Sequence, residues 1–252
     1  MDHGRLMAEE GRTLLQRAGC RVRLAAGVRD VLRAQELRFR AFRDPAGGGR
    51  DADAFDAQCA HLLVEDAGGA LLATCRLMPF ASGSGIAASY SAQFYDLSAL
   101  SGFGGAMLEL GRFCAQPGSG GADAVRLAWA GLTRLVDAEG IEMLFGCTSF
   151  PGTEAAPHAE AFAFLAARHG APARWAPGER ATEVVRFGGG AFDPARARAG
   201  LPPLLRSYLL MGGWVSDHAV VDRDLGTLHV FTGLEIGAVP ANRQALLRAA
   251  AQ

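Results

Sequence analysis

The sequence predicts an α/β or α+β fold with a mixed central sheet flanked by helices, and three observations predict it. Two apolar runs, 61–65 and 70–78, flank a glycine turn and indicate a hairpin. A further strand is indicated at 106–114. The amphipathic pattern of 122–139 indicates a helix, and the continuous apolar run 141–147 indicates a central strand.

The amino-terminal elements are predicted from apolar spacing and from breakers. Residues 5–18 have the spacing of a short amphipathic helix, which we assign to an extension of residues 1–20. A second helix at about 27–42 ends before Pro45, and three glycines at 47–49 form a flexible loop.

We expect residues 21–240 to form one domain, because no linker or repeat divides them. The other elements predicted in this domain are a loop at 81–89, a loop at 148–152, a helix at 157–169, a strand at 183–187 and a strand at 227–234.

Composition narrows the function classes. Half of the 252 residues are hydrophobic, which allows a substantial core, and the net charge of −1 disfavours a nucleic-acid surface. The five cysteines form no Cys-x-x-Cys pair, so we expect no structural zinc. We see neither a secretory signal nor a 20-residue apolar span, and we expect a soluble protein or one bound at a membrane surface.

The strand at 106–114 carries two charges among apolar residues, Glu109 and Arg112. Charged groups are costly to bury, so they indicate either a structural ion pair or a chemical site. Residues three apart on a strand face opposite sides, unless a bulge at Gly111 re-aims one of them. Pairing of Glu109 with Arg76 on the neighbouring strand is the structural alternative.

Two other features are weaker signals. The turn Gly118–Gly121 precedes a helix and suits one phosphate, but it lacks the Lys and Ser/Thr of a P-loop. An ordinary surface turn is the alternative. We predict His61, which begins an apolar strand, to be a packed or hydrogen-bonded residue rather than a metal ligand.

Four segments together resemble a known family. Residues 108–114, 144–152, 201–209 and 221–231 look like the ornithine N-acyltransferases of bacterial ornithine-lipid synthesis, a match that runs from about residue 20 to about 240. That family is similar to the acyl-homoserine lactone synthases and has the GNAT acyltransferase fold.

The resemblance implies a set of site residues. Those implied to be catalytic are Glu109, Arg112 and Arg76, and those implied to bind substrate are Arg38, Phe42, Asp53 and Asp56. The implied reaction transfers a 3-hydroxy fatty acyl group from acyl carrier protein to the α-amine of L-ornithine, forming lyso-ornithine lipid. Glu109 would be the base, the arginines would brace it or hold the ornithine carboxylate, and an aspartate would receive the cationic side chain. No metal or redox cofactor is needed.

Further residues are expected to bind the donor. The turn glycines Gly118, Gly120 and Gly121 are expected to hold the phosphopantetheine arm, and the expected acyl pocket contains Trp129, Met143 and Phe145. Because acyl carrier protein is acidic, we expect a basic patch from Arg168, Arg174, Arg180 and Arg186, with a solvated arginine face as the alternative.

Two other functions stay open. A lactone synthase would use S-adenosylmethionine, but the tryptophan that follows Phe42 in those enzymes is missing and the Pro-Pro-Leu-Leu-Arg segment argues against it. The other is a non-catalytic module that binds acyl chains or acyl carrier protein. The expected location is cytoplasmic, with contact between the amino terminus and the inner membrane left open.

Overall fold

The computed structural model describes residue 6, residues 9–118 and residues 121–252. The chain forms two compact units. The first contains Met1–Ala81, Leu108–Ile141 and Ala241–Gln252, and the second contains Ser82–Met107 and Glu142–Pro240.

The first unit is a sheet with a helix on each face. Its strands lie in the order β1-β2-β3-β4-β6, and the pairs from β1 to β4 are antiparallel. Their bounds are β1 Thr13–Arg17, β2 Cys20–Leu24, β3 Ala60–Glu65, β4 Leu71–Phe80 and β6 Met107–Ala115. The helices are α1 Val28–Phe42, α2 Gly121–Glu139 and α6 Ala241–Ala250.

Helix α1 covers one face of this sheet. Its buried Ala34 and Leu37 pack with Leu63 of β3 and Cys114 of β6. Helix α2 packs on the other face, where its Gly131 lies against Val22 of β2. The face under α1 carries the candidate site.

The second unit has a sheet of order β7-β11-β10-β9 with antiparallel pairs, plus the short pair β5-β8. The strands are β5 Tyr95–Asp96, β7 Met143–Pro151, β8 Gly178–Glu179, β9 Val184–Arg186, β10 Trp214–Asp222 and β11 Thr227–Glu235. The helices are α3 Ala159–Arg168, α4 Pro194–Ala199 and α5 Pro203–Leu210, and they bury Phe162, Leu165, Ala197 and Leu205 against the sheet.

The predicted class of helices around a mixed sheet is confirmed, with two local corrections. Residues 13–17 of the predicted 5–18 helix form strand β1, because Arg17 and Cys20 close a hairpin over the positive-φ pair Ala18-Gly19. The predicted loop at 148–152 is strand through Pro151, since Thr148 and Phe150 pair with β11 and are buried. Residues 1–5, 7 and 8 of the amino-terminal extension lie outside the described residues.

Candidate active site

A cluster of charged side chains lies in the first unit on the face under α1. Their common feature is that oppositely charged groups from distant parts of the chain meet with little exposure to solvent. The members described below are Arg38, Arg43, Asp51, Asp53, Asp56, Arg76, Glu109 and Arg112. Four guanidinium groups contact three carboxylates, and the buried Glu109 on β6 is the fourth carboxylate of the set, so its formal charge balances.

Arg38 and Asp56 form the buried centre of the cluster. Arg38 is fully buried and donates from Nη1 to Asp56 Oδ1 at 2.6 Å and from Nη2 to Oδ2 at 3.0 Å. Gln35 Nε2 also donates to Asp56 Oδ2, at 2.9 Å. Burial opposes the charge of Asp56, but these hydrogen bonds from Arg38 outweigh it and lower the pKa of Asp56 to about 2. Asp56 is therefore held ionised as a structural partner of α1.

Asp53 begins the 3-10 helix Ala54–Gln58 and is the accessible carboxylate of the group. Its Oδ1 accepts from Phe55 N at 2.9 Å, and its own N–H donates to Asp56 Oδ2 at 3.2 Å, which forms a capping box. Arg76 Nη1 donates to Asp53 Oδ1 at 2.5 Å and to Asp56 Oδ1 at 3.4 Å. The Asp53 side chain is 28% exposed, against 7% for Asp56, so Asp53 is the one open to a ligand.

Arg112 is turned toward the same cluster by an irregularity in β6. Its φ is +51°, a value that non-glycine residues seldom adopt, and its Nε donates to Asp51 Oδ2 at 2.9 Å. A Cβ on Gly111 would lie 3.6 Å from Arg76 Nε, so Gly111 also faces the cluster. Glu109 and Arg112 can share a face only if the strand is irregular, and it is irregular here. The residue with the unusual φ is Arg112 and not Gly111.

Asp51 is a member that the sequence reasoning missed. It is 2% exposed and accepts from Arg112, from Arg38 Nε at 3.1 Å and from Arg43 Nε at 3.0 Å. Burial opposes its charge, but the guanidinium of Arg112 and its neighbours hold the pKa of Asp51 below its usual range. The only sequence signal was a third aspartate in the Asp51-x-Asp53 pattern after the glycine loop.

Glu109 lies on β6 and is 3% exposed. It is two residues before Gly111, so a regular strand places both on the face where Arg76 lies. Glu109 also acts electrostatically on Cys59, whose thiol has its pKa raised to about 12 by burial first and then by neighbouring carboxylates. A buried carboxylate beside the charged cluster is suited to accept a proton.

The other predicted site residues are placed as follows. Phe42 is half-buried and packs with the core between α1 and the sheet. Gly118 has φ +108° and Gly121 begins α2, whereas Gly120 lies outside the described residues. The roles proposed for them from the sequence stay predictions.

The predicted acyl-pocket residues are all buried but belong to different units. Trp129 of α2, in the first unit, stacks on Phe113 with ring centroids 6.1 Å apart. Met143 and Phe145 lie on β7 in the second unit, where Phe145 stacks on Phe231 at 5.9 Å. Their sharing of one slot stays a prediction.

The predicted basic patch is largely paired. Arg174 lies 3.0 Å from a Glu235 oxygen, and Arg186 lies 2.5 Å from Glu179. Arg180 donates to Ala92 O at 2.8 Å, and Arg168 is exposed at the end of α3. The arrangement fits the solvated arginine face as well as a docking patch.

In residues 6, 9–118 and 121–252 no three His, Cys, Asp or Glu side chains are grouped as metal ligands. No helix in that part of the chain combines the length and hydropathy needed to cross a membrane.

Comparison with known proteins defines the class. Residues 35–130, which include the second half of α1, the charged loop, β3, β4, β6 and the first half of α2, match the family described as Acetyltransferase (GNAT) domain. This match gives the class of the protein, a GNAT-type acyltransferase.

Curated relatives define the family. An L-ornithine N(alpha)-acyltransferase of Brucella abortus is 34% identical over 85% of this chain and 84% of its own. One of Rhodobacter capsulatus is 32% identical over 86% of this chain and 90% of its own. The chain belongs to the L-ornithine N(alpha)-acyltransferase family. Among solved structures, FeeM, an N-acyl amino acid synthase from uncultured soil microbes, aligns with a TM-score of 0.46 at 10% identity, covering 91% of this chain and 97% of that one.

Proposed function

We propose that this enzyme transfers a 3-hydroxy fatty acyl group from acyl carrier protein to the α-amine of L-ornithine, forming lyso-ornithine lipid. The observation that carries the proposal is the similarity to relatives named L-ornithine N(alpha)-acyltransferase, which extends over most of this chain and most of theirs. The buried charged cluster supports it, since an acceptor with an ammonium, a carboxylate and a cationic side chain needs charged partners.

The reaction requires a base. A free α-amine is mostly protonated near neutral pH and cannot attack a thioester in that form. Glu109 takes a proton from the α-ammonium, directly or through water. The amine nitrogen then attacks the thioester carbonyl, the new C–N bond forms and the C–S bond breaks. The second amine proton goes to the departing sulfur, so the products are an amide and the free phosphopantetheine thiol.

The neighbouring groups stabilise and position the reactants. Backbone N–H groups beside the irregularity at Arg112 would donate to the tetrahedral oxyanion, an interaction whose loss reduces turnover by about 10²–10³ in other enzymes. Arg76 and Arg112 hold Asp53, and this pair of cations beside an accessible anion supports binding of a zwitterionic acceptor.

The donor side is proposed from the sequence. The turn at Gly118–Gly121 and the start of α2 would receive the single phosphate of the carrier arm. Trp129, Met143 and Phe145 are buried apolar side chains that suit an acyl chain. No metal or redox cofactor takes part in thioester aminolysis. A cytoplasmic location and contact with the inner membrane stay predictions.

One assay tests the proposal. The protein is incubated with 3-hydroxyacyl carrier protein and, separately, L-ornithine, D-ornithine, L-lysine or S-adenosylmethionine, and the products are identified by mass spectrometry. We expect an Nα-amide of L-ornithine. Replacing the donor by the same acyl group on CoA tests the carrier protein, and we expect a slower reaction.

The alternatives give different products. A lactone formed from S-adenosylmethionine would identify a lactone synthase. No product with any acceptor, together with binding of the acylated carrier protein, would identify a non-catalytic module. Fragmentation of the amide distinguishes the α-nitrogen from the side-chain nitrogen of ornithine, and acylation at the side chain would contradict the proposed orientation.

A further inference from the structure

A cavity of about 220 Å³ lies in the first unit between the start of α1, the end of β2 and the segment 56–61. Its walls are mainly apolar. The apolar wall includes Leu24, Ala25, Val28, Val31, Ala57 and Cys59. Glu10, Asp56 and His61 supply the polar groups. Such a cavity is suited to a short aliphatic stem that ends in a polar group.

His61 determines which polar group fits. Its ring is 2% exposed, and Nε2 lies 3.1 Å from the carbonyl oxygen of Asp56. A carbonyl only accepts hydrogen bonds, so Nε2 carries the proton and Nδ1 of the neutral ring is an acceptor. Within residues 6, 9–118 and 121–252, the buried Nδ1 has no hydrogen-bond partner. Burial lowers the pKa of His61, which keeps the ring neutral.

A buried hydrogen-bond acceptor in a mainly apolar wall calls for a ligand that donates a hydrogen bond. Leaving such a group unsatisfied is unfavourable, so an occupant with an N–H or O–H is favoured. Asp56 is neutralised by Arg38, whereas the carboxylate of Glu10 adds negative charge at the cavity, which favours an ammonium over a hydroxyl and disfavours an anion. The nearby cations Arg38 and Arg76 are already paired with aspartates.

The cavity adjoins the proposed reaction centre. Cys59 lines it and also interacts electrostatically with Glu109 and Arg76. Asp56 lines it and holds Arg38 in the charged cluster. His61 is the cross-strand neighbour of Arg76 on β4, and β6, which carries Glu109, is the next strand of the sheet, so an acyl acceptor whose α-amine lies near Glu109 can extend a side chain toward His61.

We propose that this cavity binds the aminoalkyl side chain of the acceptor, with the terminal ammonium of ornithine donating to His61 Nδ1. The inference rests on the proposed function and adds a specificity-determining residue, His61. It also assigns the side chain to the Asp56 side of the cluster, leaving the accessible Asp53 to the backbone end of the acceptor.

The test compares two acceptors with the same carbon skeleton. L-Ornithine and L-2-aminopentanoate differ only in the terminal amine, and a site that hydrogen-bonds a polar group rejects the analogue lacking it strongly. The ratio of kcat/KM for ornithine over 2-aminopentanoate is measured for the protein and for His61→Leu. We expect the ratio to fall by about 10-fold or more in the variant, with the reaction of 2-aminopentanoate retained or improved.

A second pair of variants tests the cavity without altering a buried group. Ala57 and Ala54 are both exposed alanines of the same 3-10 helix, but only Ala57 lines the cavity. Ala57→Leu should raise KM for ornithine about 10-fold, and the matched control Ala54→Leu should leave it unchanged. If His61→Leu fails to fold, this pair of variants still tests whether the cavity binds the side chain of ornithine.

The outcomes separate the two proposals. If the unaltered protein does not acylate ornithine, the proposed function fails and the inference fails with it. If it does, but His61→Leu and Ala57→Leu keep the original selectivity and KM, the proposed function stands and the inference is overturned. The same holds if His61→Leu slows both acceptors equally, because an ordered water then satisfies Nδ1 and the role of His61 is structural.

Discussion

Arg112 Nε donates to Asp51 Oδ2 at 2.9 Å, and through this contact strand β6 is tied to helix α1. The same carboxylate oxygen accepts from Arg38 Nε at 3.1 Å, and Oδ1 accepts from Arg43 Nε at 3.0 Å. One buried aspartate thus satisfies guanidinium groups from three places in the chain. The left-handed φ of Arg112 is what directs its side chain to Asp51.

Neutralising Asp51 should destabilise the fold. Asp51→Asn removes the charge that compensates buried guanidinium groups at nearly constant volume. Breaking a buried ion pair on one side costs about 3–5 kcal/mol, because the remaining charge stays buried without its partner. Urea unfolding at neutral pH should show a loss of that size. The matched control is Asp137→Asn, which removes a surface pair with Arg248 and should cost less than about 1 kcal/mol. Equal losses would show that Asp51 does not hold the cluster together.

The sheet and the two long helices of the first unit illustrate what the sequence could predict. Helices expected at 27–42 and 122–139 are observed at Val28–Phe42 and Gly121–Glu139, because each has an amphipathic pattern and a clear end. Strand β1 was predicted wrongly as helix. A register shift after Thr13 lets the consecutive Leu14 and Leu15 both be buried, so the alternation typical of a strand is absent.

The sequence also identified some residues of the candidate site and missed others. The resemblance grouped Arg38, Asp53, Asp56 and Arg76, and the structure brings these four side chains into contact. Asp51 was missed because nothing local distinguishes it from other aspartates of a polar loop. Its role depends on arginines far away in sequence, and only the folded chain brings them together. A bulge at Gly111, the residue for which a positive φ is easiest, was the condition for Glu109 and Arg112 to share a face, and the irregularity lies one residue later.

The close approach of α2 to β2 predicts a steric effect at Gly131. A Cβ there would lie 2.5 Å from Val22 Cγ1, and the β-branched Val22 is buried and stiff. Alanine raises helix propensity by about 1 kcal/mol, whereas overpacking costs about 1–3 kcal/mol, so Gly131→Ala should destabilise on balance. In a Val22→Ala background the same substitution should cease to destabilise. A double-mutant cycle of unfolding free energies measures this coupling, and additive effects would rule out the clash.

The ion pairs of Glu65 predict that the free energy of unfolding falls in acid. It accepts from Arg21 Nη2 at 2.9 Å, Arg23 Nε at 2.8 Å and Arg33 Nη1 at 2.7 Å. Burial opposes its charge, but these arginines outweigh burial and lower the pKa of Glu65 from 4.5 to about 2. The stabilisation is therefore complete above about pH 4.5 and is lost as the pH falls toward about 2.

Glu65→Gln isolates this contribution from that of other carboxylates. The unfolding free energies of the two proteins are measured in urea between about pH 7 and about pH 2.5. We expect the variant to be less stable at neutral pH, and the difference should shrink as acid protonates Glu65 in the unaltered protein. A difference that is constant across this range would show that the charge of Glu65 is not what stabilises the fold.

The proposed base is tested by comparing two buried carboxylates of the first unit. Glu109 is 3% exposed on β6, and Glu139 is 4% exposed at the end of α2, where it lies 3.0 Å from Arg12. Glu109→Gln keeps the shape and one acceptor oxygen but cannot take a proton, so acyl transfer to ornithine should fall by about 10²–10⁴-fold. Glu139→Gln removes a charge of similar burial and should reduce stability with turnover per folded molecule unchanged. Comparable turnover in both variants would show that Glu109 is not the base, because the loss of a buried charge alone would then account for any effect.

The KM of Glu109→Gln gives a further criterion. A fall in its kcat with unchanged KM places the lost interaction in the transition state, where a proton acceptor acts.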